Sequence, residues 1–232
     1  LVTLTNQVST LFKEKEQFAA DVSHELKNPI ASIMAYTENL QDGSTKLSND
    51  AITKIQNQAI RMNKLVSEIS EAAIIDHDLV TKKRERFDLT QLVSEIVSHY
   101  KENNEYPKLE ITYNGPNKLR MNGLPDRIGQ IIVNLVENAI SFTRPVGTIN
   151  VSVSKNWRKS ITIKVEDSGP GVNDELKDMI FDRFFTSRRG SAEKENSSGL
   201  GLYICKQIVE AHRGEIEVTD RNGGGAAFII TI

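Results

Sequence analysis

The sequence predicts two fold classes in series, α followed by α/β. The first part is a helical hairpin that forms a dimeric four-helix bundle; the second is an α/β sandwich, a mixed sheet with helices on one face. Three observations carry this. Apolar residues recur at helical and heptad spacing from Leu1 to about residue 80. From residue 84 the period shortens to the alternation of half-buried strands, interrupted by separate amphipathic helices. Within the helical part lies a single polar break, "QDGSTKLSND".

The opening helix places Leu4, Leu11 and Phe18 seven apart, with Leu1, Val8 and Val22 in companion positions, which is a coiled-coil seam. After Val22 the series runs Leu26, Ile30, Ile33, Thr37 and Leu40. The steps 18 to 22 to 26 are four plus four, a stutter that locally unwinds a supercoil. In the break, Gly43 suits a helix C-cap and Ser48 or Asn49 an N-cap. The second helix carries Ile52, Ile55, Ala59, Met62, Val66, Ile69 and Ala73. One hairpin cannot shield two complete apolar stripes, so a homodimer through the hairpin is expected.

Further on, "ERFDLTQLVSEIVSHY" reads as a short strand and an amphipathic helix, and "KLEITYN" and "NKLRMNG" read as strands. "PDRIGQIIVNLVENAISF" is a helix with Pro125 near its start, where the missing N–H has no helical partner in any case. "TINVSVSKNWRKSITIKVED" is a hairpin of alternating strands turning at Lys155 to Lys159, with Trp157 on its surface. A helix near 173 to 184, a loop rich in Gly and Ser, a helix near 200 to 212 and the strands "GEIEVTD" and "GAAFIITI" complete the order.

Net charge is −2 and charged residues make up 26%, so nothing draws the chain as a whole to nucleic acid or to an anionic membrane. The lone Cys205 excludes an intramolecular disulfide, fits a reducing cytosol and reads as a small apolar residue on a buried helix face. No run approaches the ~20 apolar residues of a membrane span, and no signal peptide is evident. The abrupt start at Leu1, inside a helical repeat, is what a fragment of a longer protein would show.

Four stretches carry chemistry. "DVSHELKNPI" begins like a zinc-protease helix, His24 followed by Glu25, but such a helix needs a second histidine where Asn28 stands. His24 lies roughly 200° and 160° around the helix from Val22 and Leu26, and so points away from the core. In "NLVENAISF" and its approach, Gln130, Asn134, Asn138 and Ser141 share one stripe, opposite Ile128, Ile131, Ile132, Leu135 and Ala139. Asparagine is a mediocre helix former. Two of them at i,i+4 make either a solvated polar face or, through their amide oxygens, ligands for Mg²⁺ shared with phosphates. "VEDSGPGV" supplies Asp167, Gly169 and Gly171, which make either a tight turn or a close backbone approach to a ligand. There the carboxylate can accept a hydrogen bond from an adenine amino group. "NSSGLGLYICKQIV" sets Gly199 and Gly201 where a loop enters a helix, serving either as simple helix-start chemistry or as an anion site. The P-loop pattern is absent.

Taken in order, the Asn-rich helix, the Asp-Gly-x-Gly turn and the Gly-x-Gly helix start resemble the ATP-binding fold shared by gyrase-type ATPases and histidine kinases. "IFDRFFTSR" resembles the phenylalanine box of histidine kinases, and "FAADVSHELKNPIASI" resembles their phosphoacceptor box. On these motifs the sequence is identified as a member of the two-component sensor histidine kinases over nearly its whole length.

The resemblance implies three parts: a signalling helix from an upstream module over 1–15, a dimerisation and phosphotransfer hairpin over 16–80, and a catalytic ATP-binding domain over 84–232. It implies ATP and Mg²⁺ as cofactors and a response regulator receiver domain as partner, with no nucleic acid. It implies a cytoplasmic location, tied to an inner membrane only through a sensor region outside this chain. His24 is the implied nucleophile toward the γ-phosphate, which it attacks as the neutral imidazole. Glu25 orients the ring and takes the proton, and Asn28 helps position water for dephosphorylating the partner. Pro29, which costs a helix interior ~3 kcal/mol, bends the helix beside the reactive histidine.

On the nucleotide side, Asn138 is the implied Mg²⁺ ligand and Asn134 its phosphate-side partner. Asp167 selects adenine, and Gly169 and Gly171 shape that pocket. Phe184 and Arg183 come from the phenylalanine box, 185–198 forms a lid, and Gly199, Leu200 and Gly201 begin the helix facing the phosphates. Arg183, Arg188 or Arg189 neutralises the transferring group. Ser141 stands where many members have lysine, Thr186 where many have arginine, and Ser197 where glycine is commoner. Two missing cations at the phosphate end imply slower transfer, or help from Arg144 or a later arginine. Two other readings compete: an ATP-binding scaffold that transfers little, and a gyrase- or chaperone-like ATPase with Glu137 as base. The hairpin carrying His-Glu argues against the second.

Overall fold

The computed structural model describes residues 2–41, 49–103, 105–157, 159–186 and 198–232. Two compact units share the chain, one built on residues 1–72 and the other on 73–185 with 200–232.

The first unit rests on α1 (Val2–Gln41) and α2 (Asn49–Thr81), the second of which continues into the other unit. Gly43 and Ser48, the expected caps, lie outside the described residues, as do the side chains of Leu4, Val8, Leu11 and Asn49. Two contacts align the helices antiparallel. Arg61 Nη2 lies 3.5 Å from Glu25 Oε2, and Lys54 Nζ sits 5.8 Å from the centre of the Tyr36 ring. α1 runs unbroken through Pro29, whose missing N–H deprives the Glu25 carbonyl of its helical donor.

The stripe expected to line the hairpin is displaced by one residue on α2. Ala51, Gln58 and Leu65 are buried, with Ile55, Met62 and Ile69 half-buried beside them, whereas Ile52 is 39% and Val66 49% exposed. Both seams share 55, 62 and 69; the polar Gln58 hides the inner one from a hydropathy reading. Ile60 on α2 and Ile30 and Met34 on α1 add to the apolar surface that a single chain leaves outside.

The second unit runs β1 (Glu85–Asp88), α3 (Leu89–Glu102), β2 (Lys108–Asn114), β3 (Arg120–Gly123), α4 (Pro125–Thr143), β4 (Val146–Lys155), β5 (Ile161–Asp167), α5 (Gly201–Ala211), β6 (Glu215–Asp220) and β7 (Ala226–Thr231). Five strands form one sheet in the order β2-β4-β5-β7-β6, parallel only between β2 and β4. β3 pairs with β1 in a separate ribbon instead of joining it. α4 packs across β4 and β5, flanked by α3 and α5. Ile128, Ile131, Ile132 and Leu135 share the core with Ile149, Val151, Ile163 and Val165, all buried, each worth ~2 kcal/mol of burial. This is the mixed sheet with helices on one face. Asp88 starts α3 as an N-cap, its Oδ1 accepting from the N–H of Thr90 at 3.1 Å and of Gln91 at 3.4 Å. Arg127 of α4 bonds Gln130 at 2.8 Å and pairs with Asp78, holding that carboxyl below its ordinary range with help from Lys82.

The helix expected near 173 to 184 is two separate 3-10 turns, Asp174–Leu176 and Met179–Phe181. Burial decides this: Ile180 and Phe181 turn inward, and Phe181 meets Phe228 edge-on at 6.4 Å. Cys205 is fully buried as expected, its thiol 3.9 Å from the Ile131 carbonyl and pushed up to about 12 by burial.

His212 closes the helical layer. Nδ1–H donates to the Ile208 carbonyl at 2.7 Å, and Nε2 accepts from the Leu124 N–H at 3.2 Å, at the start of α4, where no side chain caps the helix. The bond accepted by Nε2 requires the neutral ring, and burial lowers its pKa against the Ile208 bond, which favours the charged form. As pH falls below the ordinary histidine value of ~6.5, the unfolded chain takes up a proton that folded His212 resists. Stability present above that value is therefore lost as pH drops toward the lowered one. His212→Ala should destabilise this unit by ~3 kcal/mol at neutral pH, through an unpaired N–H and a cavity. It should also flatten the acid side of the stability curve measured by urea unfolding; an unchanged pH dependence would remove His212 from that role.

Candidate active site

In the helical unit His24 is 76% exposed at its side chain, and its Nδ1 lies 3.8 Å from Glu25 Oε1. Glu25 is 21% exposed and reaches with its other oxygen toward Arg61. A guanidinium on α2 thus fixes the carboxylate that faces the imidazole, and leaves Nε2 as the ring nitrogen turned away from it. The sequence reading missed Arg61; no spacing signal joins positions so far apart in the chain. Asn28 is exposed, one turn from His24, while Pro29 is buried.

In the α/β unit Asp167 ends β5 at 3% exposure. Its Oδ1 accepts from Gly169 N–H at 2.8 Å and, weakly, from Ala226 N–H at 3.5 Å. Burial raises its pKa against these bonds and the charge of Arg221. No described residue bonds its Oδ2, so one carboxylate oxygen is fixed and the other is left for a ligand. Gly225, with φ of +105°, lies so close that a Cβ there would meet the Asp167 carbonyl at 1.9 Å. Gly171, with φ of +77°, would bring a Cβ to 3.2 Å from the Gly225 carbonyl. Only glycine fits this double approach. Gly225 was not among the expected site residues, although the run Gly223-Gly224-Gly225 between two strands was a visible signal.

Asn134 and Asn138 are half-buried on α4. Asn134 Nδ2 donates to the Gly201 carbonyl at 3.1 Å, joining α4 to the start of α5, and its amide oxygen stays available. The Asn138 side chain makes no hydrogen bond among the described residues, and its oxygen is a hard donor suited to Mg²⁺. Glu137, by contrast, is held by the Tyr100 hydroxyl of α3, which donates to its Oε1 at 3.0 Å. Leu200 is fully buried and accepts from Ile204 N–H as α5 begins; Gly199 before it has φ of +75°. Phe184, in the turn after the second 3-10 segment, takes a φ of +58°, a conformation L-residues adopt at a cost of ~1–3 kcal/mol.

The arginines separate. Arg183 Nη2 donates to the Tyr203 hydroxyl at 2.7 Å, and its guanidinium lies 4.7 Å from that ring's centre, so it is anchored on the first turn of α5. Arg144 instead bonds the Tyr106 hydroxyl at 2.9 Å. Arg188 and Arg189, like Ser197, lie outside the described residues. Among the described residues there is no cluster of three His, Cys, Asp or Glu side chains able to hold a metal, and no helix long and apolar enough to cross a membrane.

A half-open carboxylate at a glycine-walled strand end, paired asparagines on the adjoining helix, and a separate hairpin presenting an exposed His-Glu define a class: phosphoacceptor helices joined to a nucleotide-binding α/β domain. Comparison with known proteins agrees. The family of the His Kinase A (phospho-acceptor) domain matches residues 14–78, and that of the histidine kinase-, DNA gyrase B-, and HSP90-like ATPases matches residues 123–232. Sensor protein ChvG of Agrobacterium fabrum is 38% identical over 94% of this chain and 39% of its own length. Sensor protein SrrB of Staphylococcus aureus is 30% identical over 99% of this chain and 40% of its own. The chain thus spans about two fifths of these relatives. Among solved structures, the catalytic domain of histidine kinase ThkA aligns over 65% of this chain and 95% of its own, at 31% identity and TM-score 0.56. ThkA in complex with response regulator protein TrrA aligns over 93% of this chain and 60% of its own, at 26% identity and TM-score 0.66. The chain belongs to the two-component sensor histidine kinases.

Proposed function

We propose that this chain is the kinase portion of such a sensor, an ATP-dependent protein histidine kinase that phosphorylates His24 and passes the group to an aspartate of a response regulator receiver domain. One observation carries it: an exposed imidazole whose Nδ1 faces a carboxylate that Arg61 holds in place. Neutral Nε2 attacks the γ-phosphorus of ATP, the bond to the β,γ-bridging oxygen breaks, and ADP leaves with that electron pair. The Nδ1 proton is stabilised by Glu25, which strengthens the nucleophile as the bond forms. Asp167 Oδ2 accepts from the adenine amino group. Asn138, with Asn134 beside it, would hold Mg²⁺, whose chemistry there is to neutralise the triphosphate. Arg183, set by Tyr203, is the cation best supported for the phosphate end in place of those missing at Ser141 and Thr186.

In this reading residues 1–15 carry a signal from an upstream module, 16–80 dimerise and present His24, and 84–232 bind ATP. The apolar surface at Ile30, Met34, Ile52, Ile60 and Val66 supports the homodimer. The whole protein is a cytoplasmic kinase tied to an inner membrane through a sensor region outside this chain. Incubation with γ-labelled Mg-ATP tests the reading. Acid-labile label on the chain supports it; stoichiometric nucleotide binding with no such label supports the scaffold reading, which the anchoring of Arg144 on Tyr106 favours. The Tyr100 bond to Glu137 speaks against the ATPase reading.

Exposed Asn28, one turn from His24, supports a phosphatase activity on the same regulator. Asn28→Ala should leave self-phosphorylation within about twofold, while slowing dephosphorylation of a phosphorylated receiver domain by ~10-fold or more, the scale of a lost positioning contact. Equal loss of both activities in a paired assay would make Asn28 structural.

A further inference from the structure

Of the four histidines in the chain, two share one arrangement. His77, near the end of α2 and within the α/β unit, has a side chain 75% exposed, and its Nδ1 lies 3.9 Å from Asp78 Oδ1. His24 shows 76% and 3.8 Å against Glu25. In both places an arginine from another helix pairs with the second carboxylate oxygen, Arg61 for Glu25 and Arg127 of α4 for Asp78. Asp78 is also joined by Lys82 Nζ at 3.0 Å, and its side chain is only 10% exposed. Arg127 and then Lys82 hold its carboxyl below the ordinary range, so it faces His77 as a fixed anion.

Thr81 places the proton on the His77 ring. Its hydroxyl donates to the His77 carbonyl at 2.7 Å. With its one proton used there, it can only accept from Nδ1–H, 3.4 Å away. Hydroxyl and carboxylate thus both favour Nδ1–H, and the lone pair is left on Nε2, the nitrogen turned away from them. An exposed ring nitrogen backed by an oriented carboxylate is suited to form a covalent phosphoryl intermediate. The other two histidines lack this. At His99 the amide Nδ2 of Asn103, a donor only, lies 3.3 Å from Nδ1; it occupies the lone pair there and leaves the proton on Nε2. His212 is buried with both nitrogens bonded.

Nucleotide held at Asn138 in the same unit does not reach this ring. Arg127, against Asp78, and Asn138 are ~16 Å apart along α4, whereas reacting atoms must stand ~3–3.5 Å apart. A donor arriving from solvent must carry its own activation. A mixed anhydride of carboxylic and phosphoric acids does so, because its carboxylate is a good leaving group.

We propose that His77 is a second phosphoacceptor, which takes a phosphoryl group from acyl phosphates independently of ATP. Nε2 forms the P–N bond, the bond from phosphorus to the acyl oxygen breaks, and the carboxylate leaves with that electron pair. The Nδ1 proton stays on the ring, and Asp78 balances the positive charge that the imidazole gains. A small acyl phosphate and the aspartyl phosphate of a receiver domain share this chemistry.

The full chain carrying His24→Gln, with no nucleotide added, tests this. It is incubated with labelled acetyl phosphate in one arm and with a receiver domain phosphorylated on its aspartate in the other. Acid-labile label at His77, located by mass spectrometry, is expected in at least one arm, and the arm that labels identifies the source. Adding His77→Gln should remove the label, while His99→Gln should leave it within about twofold. Both rings are exposed, so neither change should move the thermal midpoint. Asp78→Asn should slow labelling by ~10²-fold, the scale of a positioned acid–base group. Since Asp78 also pairs with Arg127, Thr81→Val is the second variant. It breaks no ion pair, and should both slow labelling about threefold or more and move the His77 ring from Nδ1–H toward Nε2–H in ¹⁵N spectra. Any of four results would overturn the proposal: no label at His77 in either arm; equal label at His99, the mark of any exposed imidazole; undiminished labelling in both Asp78→Asn and Thr81→Val; or label at His77 only when ATP is supplied. Labelling of His24 by Mg-ATP is read separately on the unsubstituted chain, so the two assignments stand or fall apart.

Discussion

His24→Gln abolishes incorporation of γ-phosphate while nucleotide binding stays intact. The substitution removes the nucleophilic ring nitrogen but keeps a polar side chain of similar reach. At 76% exposure the imidazole has little packing to lose, so a fall in stability beyond ~0.5 kcal/mol is not expected. Label should drop below detection, because a glutamine amide has no lone pair with the nucleophilicity of a neutral imidazole. The companion Glu25→Gln keeps shape and loses charge, and should slow labelling by ~10²-fold, the contribution of a positioned general base. Both variants are read by acid-labile label and by mass spectrometry after Mg-ATP. Undiminished label in His24→Gln, with the added mass on another side chain, would end the kinase assignment.

Asn138→Ala is expected to eliminate Mg-dependent ATP binding without unfolding the domain. The side chain is half-buried and bonds no described residue, so truncation breaks no hydrogen bond among the described residues. Asn134→Ala is the informative contrast. It severs the 3.1 Å bond to the Gly201 carbonyl and should lower stability by ~1 kcal/mol as well as weakening the nucleotide. Calorimetric titration with ATP, with and without Mg²⁺, separates the two. Tight magnesium-dependent binding retained by Asn138→Ala would place the metal on another ligand.

The site was legible to unequal degrees. The strand–turn at Asp167, the Asn stripe of α4 and the glycines opening α5 are local patterns, and all fall on the elements expected of them. Of the candidate cations, the sequence left Arg183, Arg188 and Arg189 unranked, with Arg144 in reserve. Among the described residues Arg183 is held by a tyrosine of α5, and Arg144 by Tyr106. Glu137 looked as able a base as any carboxylate beside Asn138 until Tyr100, from a different helix, was seen to hold it. His212 drew no attention in the sequence, since one histidine near a helix end has no period; its bond to Leu124 joins residues 88 apart. The expected helix at 173 to 184 failed because Ile180 and Phe181 turn inward, Phe181 edge-on to Phe228 of β7.

What the sequence by itself determined is whatever depends on near neighbours: two long helices separated by a polar break, the alternation of β4 and β5, and a histidine pointing outward beside an acid. Period, capping and turn chemistry act over a few residues, so they can be read in a line. Only the tertiary structure decided which seam of α2 turns inward, how Glu25 is held, which oxygen of Asp167 stays open and why Gly225 must be a glycine. Each of those depends on atoms brought together from distant segments, where close packing leaves room for one arrangement and a linear pattern holds no record of it.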